Sequence, residues 1–191
     1  HEIRWQRRNT AGSFHGYFKS RLMFSLYIHI PFCKKKCLYC DFPSITADND
    51  VYNKYTAALI KEMQLRYKEL GIINIDTVYL GGGTPSLFSP VLIEKILTAI
   101  NNFFNISAHA EITLEANPST VSLHKLEQIS AIGINRLSLG IQAVQDNLLQ
   151  RLGRIHTFEE AQNAVSNAKK AGFNNISLDL MYGLPYQTIA M

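Results

Sequence analysis

After Met23 the chain alternates short apolar runs with amphipathic stretches, and this rhythm restricts its fold more than any other feature of the sequence. Five runs rich in Leu, Ile, Val, Tyr or Thr read as strands, at residues 26–31, 77–81, 112–116, 136–142 and 175–182. Runs apolar on both faces, separated by helices, belong to a parallel sheet covered by helices. The predicted class is therefore α/β. Helix starts are legible in three of the gaps. Asp48-Asn49-Asp50 precedes Tyr52, Tyr55, Leu59 and Met63 at three- and four-residue spacing. Ser89-Pro90 offers an N-cap with proline at the first helical position, ahead of Ile93, Ile96, Leu97 and Ile100. Thr157 and Glu160 have capping-box spacing before Ala161, Ala164, Val165 and Ala168. A faint echo, Gly133-Ile-Asn-Arg-Leu-Ser-Leu and Gly172-Phe-Asn-Asn-Ile-Ser-Leu, repeats after 39 residues. It reads either as repeated units that curve toward a barrel or as ordinary helix-to-strand loop chemistry, with glycine as the left-handed residue after the helix.

Composition narrows the class of function. The 191 residues are 47% hydrophobic and 18% charged, which excludes a disordered or collagenous chain. No apolar run approaches the ~18 residues that span a bilayer, so no transmembrane segment is expected. Net charge is +4, but residues 1–22 hold five of the 19 basic groups and one of the 15 acidic ones. Residues 23–191 are then balanced and have no basic excess for a phosphate backbone, so nucleic acid is not an expected partner. Residues 1–22, Arg-rich and poor in acids, read as a basic tail, disordered or not native, with a transit peptide as a second reading. Residues 23–191 read as the folded core. The chain stops about ten residues after its fifth strand, where a sixth unit is expected to begin, so the core reads as cut there.

All three cysteines, Cys33, Cys37 and Cys40, fall within eight residues, directly after the first strand. Bridging two of them would close a very small loop and leave the third over, so a secreted disulfide framework fits poorly. Reduced thiols that bind metal in the cytoplasm fit better. In parallel α/β folds the loop after a strand lies on the ligand-binding face. A [4Fe-4S] cube has four irons to ligate, so three thiolates leave one iron open to another ligand. Zinc with His29 as fourth ligand is the competing reading, although no second half of a zinc motif follows. Lys34, Lys35 and Lys36 either favour the thiolates or form a solvated charge run.

Tyr27-Ile-His-Ile-Pro-Phe-Cys33-Lys-Lys-Lys-Cys37-Leu-Tyr-Cys40-Asp-Phe resembles the signature of radical S-adenosylmethionine (SAM) proteins of the oxygen-independent coproporphyrinogen III oxidase family. The resemblance runs from Leu26 to Thr188. It implies a partial parallel (β/α)6 barrel of TIM-like form, here reaching its fifth strand. It also implies a cluster held by Cys33, Cys37 and Cys40, whose open iron chelates SAM, and one-electron cleavage that gives a 5′-deoxyadenosyl radical. The SAM-contacting positions it implies are Tyr27, Tyr39, Gly82, Gly83, Thr84, Glu115, Gln142, Arg154 and Asp179. Several have a physical reason of their own. Gly81-Gly82-Gly83-Thr84-Pro85 ends the second strand and permits close backbone approach, although a plain tight turn would look the same. Glu115 ends the third strand, where a carboxylate suits ribose hydroxyls. Arg154 offers a bidentate partner for a carboxylate, with Arg151 close by in sequence. Asp179 is an acid in an apolar strand, so its burial would demand a hydrogen-bonding partner. Alternation in the first strand turns Tyr27 and His29 toward the interior and Ile28 and Ile30 toward the helices.

Within that family the oxidases resemble C-x3-C-x2-C-x-C, whereas Phe42 stands here at the fourth cysteine. That departure makes the chain similar to the family's haem chaperones and puts enzymatic decarboxylation of propionates in doubt. The partners implied are haem as cargo, an electron-donor protein and haem-acceptor proteins. The oxidase and a structural zinc domain remain as alternatives.

Overall fold

All three helix starts legible in the sequence are helix starts in the structure, a computed structural model that describes residues 3–7 and 24–188. Asp48 accepts from the Val51 amide at 3.0 Å and opens α1, Asn49–Leu70. Ser89 accepts from the Leu92 amide at 3.4 Å and opens α2, Pro90–Phe103. Thr157 and Glu160 close a reciprocal capping box at the start of α5, Phe158–Lys170. Each such cap contributes on the order of 1 kcal/mol. Two further helices escape the sequence reading: α3, Leu123–Ala131, and the six-residue α4, Asp146–Arg151.

The strands are β1 (Ile3–Arg7), β2 (Phe24–Ile30), β3 (Asn74–Gly82), β4 (Asn105–Ala116), β5 (Arg136–Gln142) and β6 (Asn175–Leu180). They form one sheet in chain order, parallel from β2 through β6. The five expected strands are β2 to β6. β3 and β4 begin earlier than their apolar cores, and a shift in register lets β4 advance five residues while β3 advances two. The tail reading assigns no element before Leu26, and here the structure differs. Ile3–Arg7 pairs antiparallel with β2, from Ile3 opposite Ile28 to Arg7 opposite Phe24. Without β1, β2 would be an edge strand whose unpaired N–H and C=O groups can take up any extended segment, whatever its composition. The rest of residues 1–22 lies outside the described residues.

Leu26, Ile28 and Ile30 of β2, Val78 and Leu80 of β3 and Leu114 of β4 are all at most 1% exposed, on the face that packs against the helices. Each such side chain contributes about 1.5–3 kcal/mol on burial. Tyr27 and His29 point the other way and are half-buried, as the alternation predicted. β6 corrects the expectation of strands buried on both faces: Leu178 is 46% and Leu180 62% exposed. It is the last described strand, and among the described residues β5 alone lies beside it.

Because β2 to β6 run the same way, the cysteine loop, the Gly81–Pro85 turn, Glu115 and Gln142 all lie toward one end of the sheet. Gly133 and Gly172 lie at the opposite end, both at positive φ (110° and 91°), as the helix-to-strand reading requires.

Candidate functional site

Residues 33–45 leave β2 as a loop pinned at three places. Its two ends meet in an isolated bridge between Phe32 and Ile45, with Cys33 N–H donating to the Ile45 carbonyl at 3.0 Å and Ile45 N–H to the Pro31 carbonyl at 2.9 Å. Its middle is held by Leu38 N–H donating to the Leu152 carbonyl at 3.0 Å. The three cysteines are free thiols of intermediate exposure. Thr84 Oγ1 donates to Cys33 Sγ at 3.6 Å, and an Arg154 guanidinium nitrogen lies 3.5 Å from Cys37 Sγ. Hydrogen bonds to ligating sulfurs are a means by which a protein tunes a cluster. Among the described residues, no three His, Cys, Asp or Glu side chains are grouped as the ligands of one ion would be. Cys33, Cys37 and Cys40 share one loop, and three thiolates are the donor set that a [4Fe-4S] cluster with one open iron takes. His29 does not complete a zinc site here: Nδ1 faces the Tyr27 hydroxyl at 3.1 Å and Nε2 the Pro43 carbonyl at 3.3 Å. Lys34, Lys35 and Lys36 are exposed.

Beside the loop, the Gly81–Pro85 turn folds back onto the backbone at the end of β2. Gly83 N–H donates to the Ile30 carbonyl at 2.9 Å, and Thr84 N–H to the Phe32 carbonyl at 2.7 Å. Close approach explains these glycines. A Cβ on Gly83 would lie 2.6 Å from the Phe32 carbonyl oxygen, and one on Gly82, whose φ is 118°, would lie 2.6 Å from the His29 ring.

Glu115 connects this turn to the inner face of the sheet. One oxygen accepts from the Gly82 amide at 2.9 Å and the other from the Tyr79 hydroxyl at 2.7 Å. Burial nevertheless raises the Glu115 carboxyl above its ordinary range, and the two hydrogen bonds oppose that shift only in part. Tyr79 stacks on Tyr27 with ring centroids 6.0 Å apart. Its hydroxyl is shifted upward, chiefly by burial and then by the Glu115 charge. Tyr39, on the cysteine loop, is pushed up to about 12, again mainly by burial, with Arg154 opposing.

Gln142 and Arg154 form a second group around Gly140. Arg154 donates to the Gly140 carbonyl at 2.5 Å, and a Cβ on Gly140 would lie 2.9 Å from Gln142 Nε2 and 3.3 Å from the Arg154 guanidinium. Gln142 has a φ of 73°, a left-handed conformation that costs a side-chain-bearing residue energy. Arg151 lies elsewhere, over the Tyr186 ring at 4.1 Å. Asp179 is exposed, and it accepts from Ser138 Oγ at 3.2 and 3.3 Å.

The structure thus joins Tyr27, Gly82, Gly83, Thr84 and Glu115 into one connected patch beside Cys33, with Arg154 beside Cys37 and Gln142 next to it at Gly140. Tyr39 reaches the Cys37 thiol beside Arg154, and Asp179, on Ser138, lies within electrostatic reach of Glu115 and Tyr79. Sequence reasoning missed Tyr79, although alternation two residues ahead of Gly81 was a usable signal. It also missed Gly153 and His156, whose roles depend on a fold-back that no local pattern announces.

Residues 27–191 match the radical SAM superfamily. The chain is 44% identical over 170 residues to the haem chaperone HemW of Haemophilus influenzae, covering 86% of this chain and 44% of that protein. It is 40% identical to HemW of Bacillus subtilis, covering 87% and 44%. Among solved structures it resembles the coproporphyrinogen III oxidase HemN of Escherichia coli, a radical SAM enzyme, at a TM-score of 0.80 and 30% identity, covering 87% of this chain and 38% of that one. The chain spans less than half the length of these relatives.

Proposed function

Since this chain belongs to the radical SAM superfamily, we propose that it serves as a haem chaperone of the HemW kind, with haem as cargo. Membership implies SAM and a [4Fe-4S] cluster, and when bound this pair supplies one-electron cleavage of a sulfonium. Cys33, Cys37 and Cys40 would hold the cluster. Thr84 and Arg154 donate toward two of those sulfurs, which supports the assignment. Tyr27, Tyr39, Gly82, Gly83, Thr84, Glu115, Gln142, Arg154 and Asp179 would contact SAM. In that arrangement the glycine turn offers backbone groups at close range, and Glu115, already held by Tyr79 and Gly82, is oriented before the ligand arrives. Arg154 offers its charge to the carboxylate of SAM. Residues 23–191 would form the core unit. An electron-donor protein and haem-acceptor proteins complete the expected partners. Three cysteines within eight residues, spaced poorly for a disulfide framework, support a cytoplasmic setting, and no helix among the described residues is long and apolar enough to cross a membrane.

The observation that carries the chaperone reading is Phe42. It is 63% exposed on the cysteine loop, at the position where the oxidases resemble a fourth cysteine. The likeness to HemN favours the oxidase as the second reading. Anaerobic loading of the protein with iron and sulfide, followed by separate titrations with SAM and haem, decides between them. The expected result is a cluster spectrum that responds to SAM, haem uptake, and coproporphyrinogen left unconsumed. Vinyl products from propionates would overturn the chaperone in favour of the oxidase.

A further inference from the structure

Residues 152–156 run as a strap from the cysteine loop to the end of β5, and the function proposed above uses only its arginine. Leu152 accepts from Leu38 N–H at 3.0 Å. Gly153, with a φ of 74°, comes so near that a Cβ there would lie 3.2 Å from Leu38 Cγ. Arg154 holds the Gly140 carbonyl at 2.5 Å. His156, 4% exposed, brings Nε2 to 3.2 Å from the Ile141 carbonyl. A carbonyl can only accept, so Nε2 carries the proton. Nδ1 is then a buried acceptor without a partner. Protonating it would bury an unpaired N–H, and burial together with the Arg154 charge accordingly holds this imidazole below its usual range.

The strap therefore grips two successive carbonyls, Gly140 through Arg154 and Ile141 through His156. Met181 N–H takes the third, Gln142, at 2.8 Å. This is the corner at which Gln142 adopts its left-handed backbone. Such a conformation persists only where its surroundings over-determine it, and a buried histidine on the preceding carbonyl contributes to that.

We propose that His156 is a positioning residue for the ligand corner: its Nε2–H fixes the Ile141 carbonyl and so holds Gln142 where its side chain, beside Gly140 and Arg154, meets SAM. The inference rests on the proposed contact between SAM and Gln142, and its test separates the two.

His156→Phe keeps a ring of similar size and removes the donor, whereas His156→Gln retains an N–H. In the cluster-loaded protein, amide exchange at Ala143 and Met181, which donate to Ile141 and Gln142, is measured alongside SAM affinity read from the cluster spectrum. His156→Phe is expected to speed both exchanges and weaken SAM binding by about fivefold, the factor that one net hydrogen bond carries. His156→Gln is expected to restore both. Wild-type exchange and affinity in the Phe variant would overturn the positioning role while leaving the SAM site intact. Faster exchange in a protein that binds no SAM would sink the ligand assignment and leave the corner-holding role standing. Should the Phe variant not fold, nitrogen NMR of His156 in the unaltered protein decides: a neutral ring protonated at Nε2 is required, and an Nδ1–H tautomer or an imidazolium at neutral pH overturns the proposal.

Discussion

At the end of the sheet where β2 and β3 stop, a Cβ on Gly83 would lie 2.6 Å from a backbone oxygen, whereas at the opposite end one on Gly133 or Gly172 would meet nothing within 4 Å. The same residue type serves two purposes. Near the cysteines, glycine lets one backbone touch another. At the far end it lets the chain turn with positive φ while its missing side chain leaves open space. The two ends also satisfy backbone groups differently. Glu115, an ionisable acid, accepts from Gly82 N–H at one end. At the other, the neutral amide of Asn135 accepts from Ile112 N–H and donates to the Ala110 carbonyl, both at 2.8 Å. The site end thus combines crowding with a buried acid, whereas at the far end the glycines are uncrowded and the charged pair, Arg136 and Glu111 at 3.6 Å, is partly exposed, which is how a binding end and a supporting end of one sheet should differ.

The sharpest break of this comparison is Gly83→Ala. Its added methyl would press on the Phe32 nitrogen and carbonyl, which cannot yield as a side-chain tip can. A loss of about 3 kcal/mol is expected, read as a fall in thermal midpoint, together with failure to assemble the cluster. Gly82→Ala should cost about as much, because it adds backbone strain at a φ of 118° to a clash with the His29 ring. Adding His29→Ala should recover part of that loss, a coupling of about 1 kcal/mol in a double-mutant cycle; strict additivity would show that backbone strain, not contact, is the whole cost. Gly133→Ala and Gly172→Ala should each lose about 1–2 kcal/mol from backbone strain alone and leave SAM affinity unchanged. A drop in affinity from either would dissolve the distinction between the ends.

Much of this contrast could be read before the structure. Cysteine spacing, five strands, three capped helices and an acid at a strand terminus are local patterns, and local patterns survive folding. Glu115 was legible because a charge at the end of an apolar run needs a reason. Tyr79, by contrast, looks like any strand aromatic until Tyr27 and Glu115 come to lie on the same face. The strap at 152–156 was illegible for a stronger reason: its meaning lies in hydrogen bonds to Leu38 and Ile141, far away in sequence. The exposure of Asp179 and Leu180 reflects the one strand, β5, that lies beside β6 among the described residues, and β1 depends on the pairing capacity of an edge rather than on any pattern in residues 3–7. Gly83 and Gly133 were equally visible as glycines, but their difference is tertiary.

The smallest expected effect concerns the two polar groups. Because the folded protein raises the Glu115 carboxyl, chiefly through burial, its neutral form is the one folding favours. That contribution is present below the unfolded value of about 4.3 and is lost as pH rises through the raised folded value. At neutral pH the wild type therefore carries the cost of a buried charge that Glu115→Gln removes, so the variant should melt no lower than the wild type while binding SAM more weakly. As the pH falls toward the unfolded value, the wild type should gain stability relative to the variant. Asn135→Ala supplies the control at the other end: it should lose about 1–2 kcal/mol for two forfeited hydrogen bonds, by the same amount across that range. A pH-independent gap between wild type and Glu115→Gln would mean that Tyr79 and Gly82 fully compensate the buried carboxylate. The site end would then differ from the far end by crowding alone.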